Sequence, residues 1–305
     1  MKVLSFALLI SLILLSEGCV SLPSSKFNLR KDDLLGFTET EISIDFGGYE
    51  NHYAIIPVSI QGVTLKLMFD SGSEWGTITL IPEVLDKIKV NYTANKMQYR
   101  DAYGNVYYTR KFTIPEIRIG DLNITNIIAV ENLTSPEGFD GYIGLGFLKN
   151  FNMMIDYQNK RITLYRNAII PDFLEAEKWF RYRYYENQQF KINFNFLNKE
   201  YQIGLDSGSG TTAIPVGSEL GKDILSHLGI TEENVVINQR TGKNVYIYNI
   251  EHIYLDEYDL GKQVCVLSDD MSGYMGNGLM GFDFFNNNII FICFESKDIW
   301  LKRVN

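Results

Sequence analysis

The chain has 305 residues, of which 46% are apolar, 21% charged and 13% aromatic. That balance lies far from the disordered range, and the length suffices to bury a core without disulfide or metal support. With 28 Lys and Arg against 37 Asp and Glu, the net charge of -9 argues against a phosphate-binding surface and hence against a nucleic-acid partner. Three His and three Cys, with no H-E-x-x-H or C-x-x-C spacing, leave too few candidates for a zinc site, so neither metal nor cofactor is expected.

The N-terminus opens Met1-Lys2 and continues as an apolar run from Val3 to Leu15. Such a run is too short to span a bilayer and well sized for a signal-peptide core. It ends in Leu15-Ser16-Glu17-Gly18-Cys19, which resembles the bacterial lipoprotein processing box, with Ser16 standing where Leu is usual. The expectation is a signal peptide over 1–18, then a lipid anchor on Cys19 and a polar tether over 19–40. The protein is then exported and membrane-anchored in a bacterial cell envelope; the alternative is a plain secreted chain cut nearby. Cys265 and Cys293 remain as an even pair that either forms a disulfide or serves as two small buried apolar side chains on strands.

Past the tether, strand signals follow one another. Val58–Ile60, a Gln61-Gly62 turn and Val63–Phe69 predict a hairpin leading into Asp70. A short helix is expected over Pro82–Ile88, and strands over Phe112–Ile119, Ile124–Val130 and Arg161–Tyr165. The stretch 166–189 reads as a connector, partly helical around Asp172–Phe180. A second hairpin follows, Ile192–Phe196 and Tyr201–Leu205 about an Asn198-Lys199 turn, then a helix over Val216–Leu228.

Sliding the chain along itself explains the recurrence. At an offset of 136, Leu67-Met68-Phe69-Asp70-Ser71-Gly72-Ser73 lies over Ile203-Gly204-Leu205-Asp206-Ser207-Gly208-Ser209. At 137, Gly141-Tyr142-Ile143-Gly144 lies over Gly278-Leu279-Met280-Gly281, and Lys160, Ile162 and Leu164 fall on Lys297, Ile299 and Leu301. The reading is an all-β protein of two pseudo-symmetric lobes, each a closed-barrel-like unit, at 41–165 and 190–305. A cleft lies between them, in a monomer that is its own internal pseudo-dimer.

A strand that ends in an acid, a small hydroxyl residue and Gly makes a turn whose amides can point at the carboxylate. Asp-Ser-Gly is common singly, but two copies at matched places in a repeat can bring two carboxylates together at the lobe boundary. Phe69-Asp70-Ser71-Gly72-Ser73 and Leu205-Asp206-Ser207-Gly208-Ser209, each followed some 74 or 75 residues later by two apolar residues and Gly, resemble the aspartic proteases. By lobe size and symmetry the resemblance is to retropepsin-like units fused in one chain, while the Ser at the third place after each Asp is closer to the pepsin pattern.

The resemblance implies that Asp70 and Asp206 share one proton and activate a water for peptide hydrolysis, with no covalent intermediate. Ser71 and Ser207 are expected to lock the two turns across the interface, Gly72 and Gly208 to present their amides, and Ser73 and Ser209 to hydrogen-bond the outer carboxylate oxygens. Asp101–Asn105, with Tyr103 and Gly104, and Arg240–Lys243, with Gly242, are either substrate-covering flaps or plain hairpin tips. Trp75 faces either the cleft or the core. The substrate is expected to be a peptide or protein. The competing reading is an inactive, protease-like lipoprotein that binds peptides or partner proteins in the same cleft. His52 and His252 read as core or surface histidines rather than ligands. A serine hydrolase lacks a G-x-S-x-G elbow, and a glycosidase needs its two acids further apart than matched turns place them.

Overall fold

The computed structural model describes residues 29, 34, 36–73, 78–100, 106–132, 138–186, 190–228, 235–237, 244–269 and 276–304. They are mostly strand, in three sheets, as the all-β reading requires. The first hairpin forms as expected, Tyr53–Ile60 against Val63–Asp70, with Ile56, Val58 and Ile60 buried on one face between more exposed neighbours. Gln61 (φ 51) and Gly62 (φ 80) both take the left-handed backbone of a two-residue hairpin turn.

The second hairpin, Phe190–Phe196 against Lys199–Leu205, turns one residue earlier than expected. Phe196 pairs with Lys199, so Leu197 (φ 52) and Asn198 (φ 61) occupy the tight turn. The register that buries Phe194, Tyr201 and Ile203 dictates that shift, and it forces a branched residue into a conformation usually left to Gly and Asn.

Both halves use one pairing scheme. In the first, Val63–Asp70 runs parallel to Gly141–Gly144, which is antiparallel to Ile78–Leu80, itself parallel to Leu122–Glu131. In the second, Lys199–Leu205 runs parallel to Leu279–Met280, which pairs with Thr212–Pro215, itself parallel to Gln263–Ser268. Gly141 (φ 154) and Gly278 (φ 113) begin the threaded strands at equivalent places. A Cβ on Gly141 would overlap the Thr79 carbonyl and one on Gly278 that of Ala213, so only Gly can stand there.

The third sheet joins the halves. Phe151–Asp156 pairs with Arg161–Arg166 and across to Asn288–Cys293, which pairs with Asp298–Arg303. Beneath it one apolar core runs without a break from Ile56, Leu67 and Phe147 to Phe194, Leu267 and Phe284. The connector is not a free linker. Its helix is confined to Phe173–Ala176, because Phe180–Arg183 extends to become the edge strand beside Asp298–Arg303. Ile169, Phe173, Leu174 and Trp179 cover the outer face of the joining sheet at Tyr165, Phe291 and Trp300. Asn152 fastens that cover, donating 2.9 Å hydrogen bonds to the Asn167 and Ile169 carbonyls.

Cys265 is buried in the main core and Cys293 under the connector, each a free thiol, so the disulfide does not form and both cysteines act as small apolar side chains. The expected helices occur as Pro82–Leu85 and Glu219–Leu228. The second starts later than the apolar pattern suggests because Ser218 caps it, its Oγ accepting from the Gly221 amide at 3.0 Å. The signal, Cys19 and tether readings lie outside the described residues, apart from scattered positions in 29–40. Among the described residues no helix is long and apolar enough to cross a membrane.

Candidate active site

Asp70 closes its strand opposite Gly144, and Asp206 follows its strand with its amide donating to the Met280 carbonyl at 2.9 Å. The third residue of each turn is held from behind by the threaded element: the Leu145 amide donates to the Ser73 carbonyl at 2.7 Å and the Phe282 amide to the Ser209 carbonyl at 2.9 Å. Two separate halves thus deliver the same turn in the same way.

The turns meet through a reciprocal exchange. Ser71 Oγ donates to the Leu205 carbonyl at 3.2 Å and accepts from the Ser207 amide at 3.0 Å. Ser207 Oγ donates to the Phe69 carbonyl at 3.0 Å and accepts from the Ser71 amide at 2.9 Å. Each hydroxyl donates to and accepts from the opposite turn, the arrangement the family resemblance implies, and all four residues, Phe69, Ser71, Leu205 and Ser207, are buried.

Asp70 and Asp206 are 3% and 1% exposed at the centre of this interlock, and their carboxyl groups border one point: a Cβ on Gly208 would stand 2.6 Å from Asp70 Oδ1 and 3.1 Å from Asp206 Oδ1. Gly72 and Ser73 amides donate to Asp70 Oδ1 at 3.0 Å, and the Gly208 amide to Asp206 Oδ1 at 2.8 Å. Each Gly also borders the opposite acid: a Cβ on Gly72 would overlap the Asp206 carboxylate, and one on Gly208 would stand 2.6 Å from Asp70 Oδ1. Glycine at these places is therefore what lets the two acids approach. Burial raises the Asp206 pKa to about 6, against the opposing pull of the Gly208 amide and of Asp70.

Of the third-position serines, Ser209 acts otherwise than expected. Ser73 reaches Asp70 through its backbone amide, and the Ser209 hydroxyl donates to the Thr211 carbonyl at 2.7 Å instead of to Asp206. The reason is local: the chain bends directly after Ser209, which brings the Thr211 carbonyl closer than the acid. The segments carrying Tyr103 and Gly104, Gly242, and Trp75 lie outside the described residues. They are flanked by strand pairs closing at Arg100↔Val106 and Ile237↔Asn244 for the first two.

Two aromatic residues near the pair were not singled out by their sequence. Tyr53 is buried with its pKa pushed up to about 12 by burial and by the Asp206 and Asp70 charges. Tyr157, raised for the same reasons, is enclosed by Phe46, Phe282 and Phe285, at centroid distances from 5.1 to 6.1 Å. His52, read only as a core or surface residue, crosses between the halves: its Nδ1 lies 2.9 Å from the Gly210 carbonyl and its ring stacks on Phe282 at 4.3 Å. His52 directly precedes the first hairpin and Tyr53 opens it, and no residue pattern in the strand marks them. Only the distance folded away between residues 52 and 210 reveals the contact. His252 pairs with Asp259 at 2.8 Å on the surface. Among the described residues no cluster of three or more His, Cys, Asp or Glu is placed to hold a metal ion.

Residues 56–147 match the family described as aspartyl protease. A Drosophila melanogaster protein, the retrovirus-related Pol polyprotein from transposon 412, is 25% identical over 189 residues, which make up 62% of this chain and 13% of the polyprotein. The chain is similar to the retropepsin-like aspartic proteases. The aspartyl protease match takes in the Asp70 turn and Tyr142-Ile143-Gly144 and ends before Asp206. For the second acid, then, the support is geometric: the Ser71–Ser207 exchange and the packing of Gly72 against the Asp206 carboxylate.

Proposed function

We propose that this protein is an aspartic endopeptidase in which Asp70 and Asp206 act as a dyad on an activated water. The observation that carries the reading is the close approach of two buried acids, delivered by matched turns and locked by the Ser71–Ser207 exchange. Two acids this close do not both ionise cheaply, so one proton is shared. The ionised partner takes a proton from water as the water oxygen bonds to the scissile carbonyl carbon, and the protonated partner hydrogen-bonds the carbonyl oxygen. Collapse of the tetrahedral adduct breaks the C–N bond as a proton passes from the dyad to the leaving nitrogen. The buried amides of Gly72, Ser73 and Gly208 hold the carboxyl groups in place through these transfers.

The recurrent pairing scheme supports reading the two halves as lobes at 41–165 and 190–305, with the chain acting as a monomer on a peptide or protein. Export and a lipid on Cys19 complete the proposal; incorporation of labelled palmitate into wild type, and its loss in Cys19→Ala, is the expected result. For the chemistry, chain from Ser21 onward is offered a diverse peptide mixture from about pH 3 to about pH 7, beside Asp70→Asn and Asp206→Asn. Cleavage in wild type and none in either variant is expected. Equal residual cleavage in a variant refutes the dyad, and peptide binding without turnover in wild type favours the inactive binding protein.

A further inference from the structure

The second acid is gripped from the opposite half of the molecule. Gly210 lies four residues after Asp206, beyond the amide that bonds the Asp206 carboxylate. Two consecutive residues of the first half close on its backbone. Its carbonyl faces His52 Nδ1 at 2.9 Å, and the Tyr53 ring packs against its backbone. A Cβ at Gly210 would stand 3.1 Å from Tyr53 Oη and 3.6 Å from His52 Cβ, so the two side chains close on this one residue.

The imidazole is itself fixed from two sides. It stacks at 4.3 Å and 10° on Phe282, whose amide holds the Ser209 carbonyl, and its Nε2 lies 3.8 Å from a Glu50 carboxylate oxygen. The Gly210 carbonyl can only accept, so the bond to it requires a proton on Nδ1. His52 therefore touches the Asp206 turn at two points, Gly210 directly and Ser209 through Phe282, without touching the carboxylate.

At the 136-residue offset His52 and Tyr53 correspond to Gln188 and Gln189. The two copies of the repeat thus carry different residue types at these positions.

We propose that His52 and Tyr53 are positioning residues that clamp Gly210 and thereby set the orientation of Asp206. The inference rests on the dyad reading for its effect on turnover, but the clamp itself concerns only the rigidity of the 206–212 segment. Misplacing a catalytic group by a fraction of an ångström to one ångström costs up to about a hundredfold in rate, so a loosened clamp acts on turnover more than on substrate affinity.

Three variants test it. His52→Phe keeps the stack on Phe282 and removes the Gly210 bond. His52→Asn keeps a donor near the Nδ1 position. Gly210→Ala pushes against Tyr53 from the other side. Amide hydrogen exchange resolved over 206–212, thermal midpoints and kcat against KM are measured in each. The clamp predicts faster exchange confined to 206–212 in His52→Phe and Gly210→Ala, with kcat down about tenfold, KM within about twofold, and partial recovery of both readouts in His52→Asn. Unchanged exchange over 206–212 in His52→Phe overturns the clamp. So does a rise in exchange spread evenly over the protein with a fallen midpoint, which marks a merely structural residue. If wild type turns over no peptide, the dyad reading fails, and the exchange arm still decides the clamp.

Discussion

Replacing Asp206 by asparagine should make the protein more stable at neutral pH. In the native state burial raises the Asp206 pKa to about 6 from an ordinary value of 3.8. Between those two pH values the folded protein keeps a proton that the unfolded chain has released, so its stability falls as pH rises and levels off above about 6. At about 1.4 kcal/mol per pH unit, the span corresponds to about 3 kcal/mol of stability lost between acid and neutral pH.

The asparagine side chain in the Asp206→Asn variant has no proton to lose, and its amide can donate to the Asp70 carboxylate. Titrations of groups remote from the pair cancel in the difference between variant and wild type, so what remains is the titration of the pair itself. At about 2 °C per kcal/mol for a folded body of this size, the thermal midpoint of Asp206→Asn is expected to overtake that of wild type by about 6 °C on going from about pH 4 to about pH 7. Scanning calorimetry of the two proteins across that range reads the difference directly. Parallel midpoint curves, or a wild type that gains on the variant as pH rises, refute the account of a buried proton held between the acids.

Other consequences follow from the same geometry. Activity should decline as pH rises past about 6, where the shared proton is lost, and a pH–rate profile rising into the alkaline range contradicts a dyad. Gly72→Ala drives a methyl into the Asp206 carboxylate, so turnover should disappear while the far strands, read by circular dichroism, stay folded. Ser71→Ala leaves the Ser207 amide and Leu205 carbonyl buried without their partner and should cost about 3 kcal/mol in denaturant unfolding. Arg110→Ala strips the 2.5 Å partner from the buried Glu131 carboxylate, whose pKa that guanidinium lowers. The variant should be less stable than wild type at neutral pH in denaturant unfolding, and the gap should close as pH falls and Glu131 protonates in both.

Much of this was legible in the chain because it is local or repeated. The first hairpin, with Gln61-Gly62 at its tip, is a short-range pattern, and the Asp-Ser-Gly turns could be matched because the second copy lies in register with the first. The Ser71–Ser207 exchange was implied by the resemblance of the two turns to those of the aspartic proteases, not by any pattern in the surrounding residues. What was not legible is what breaks the symmetry. The Leu197-Asn198 turn was misplaced by one residue because burial of Phe194 and Ile203 outweighs the preference of Leu against a left-handed backbone. Ser209 bonds Thr211 because of a bend that no composition rule predicts. The connector read as a linker with some helix, yet Phe180–Arg183 closes a sheet edge whose partner lies over a hundred residues away. His52 belongs to the same class, since its partner, Gly210, has no side chain to announce the contact.

The lobes cannot be treated as two independent supports for two acids. One core runs through both, the joining sheet pairs Met153 with Ile292 across the boundary, and each turn's serine completes the hydrogen bonding of the other. Burying two carboxylates is expensive; the amides of Gly72, Ser73 and Gly208 offset part of it, and in the proposed dyad a proton retained between the acids offsets more. That offset exists only while the interlock is closed. The arrangement that lowers stability as pH rises toward neutrality is thus the one that keeps one acid protonated and its partner ionised, the state the proposed hydrolysis requires. A substitution that relieves the strain on the pair, as Asp206→Asn should, must therefore gain stability and lose chemistry together.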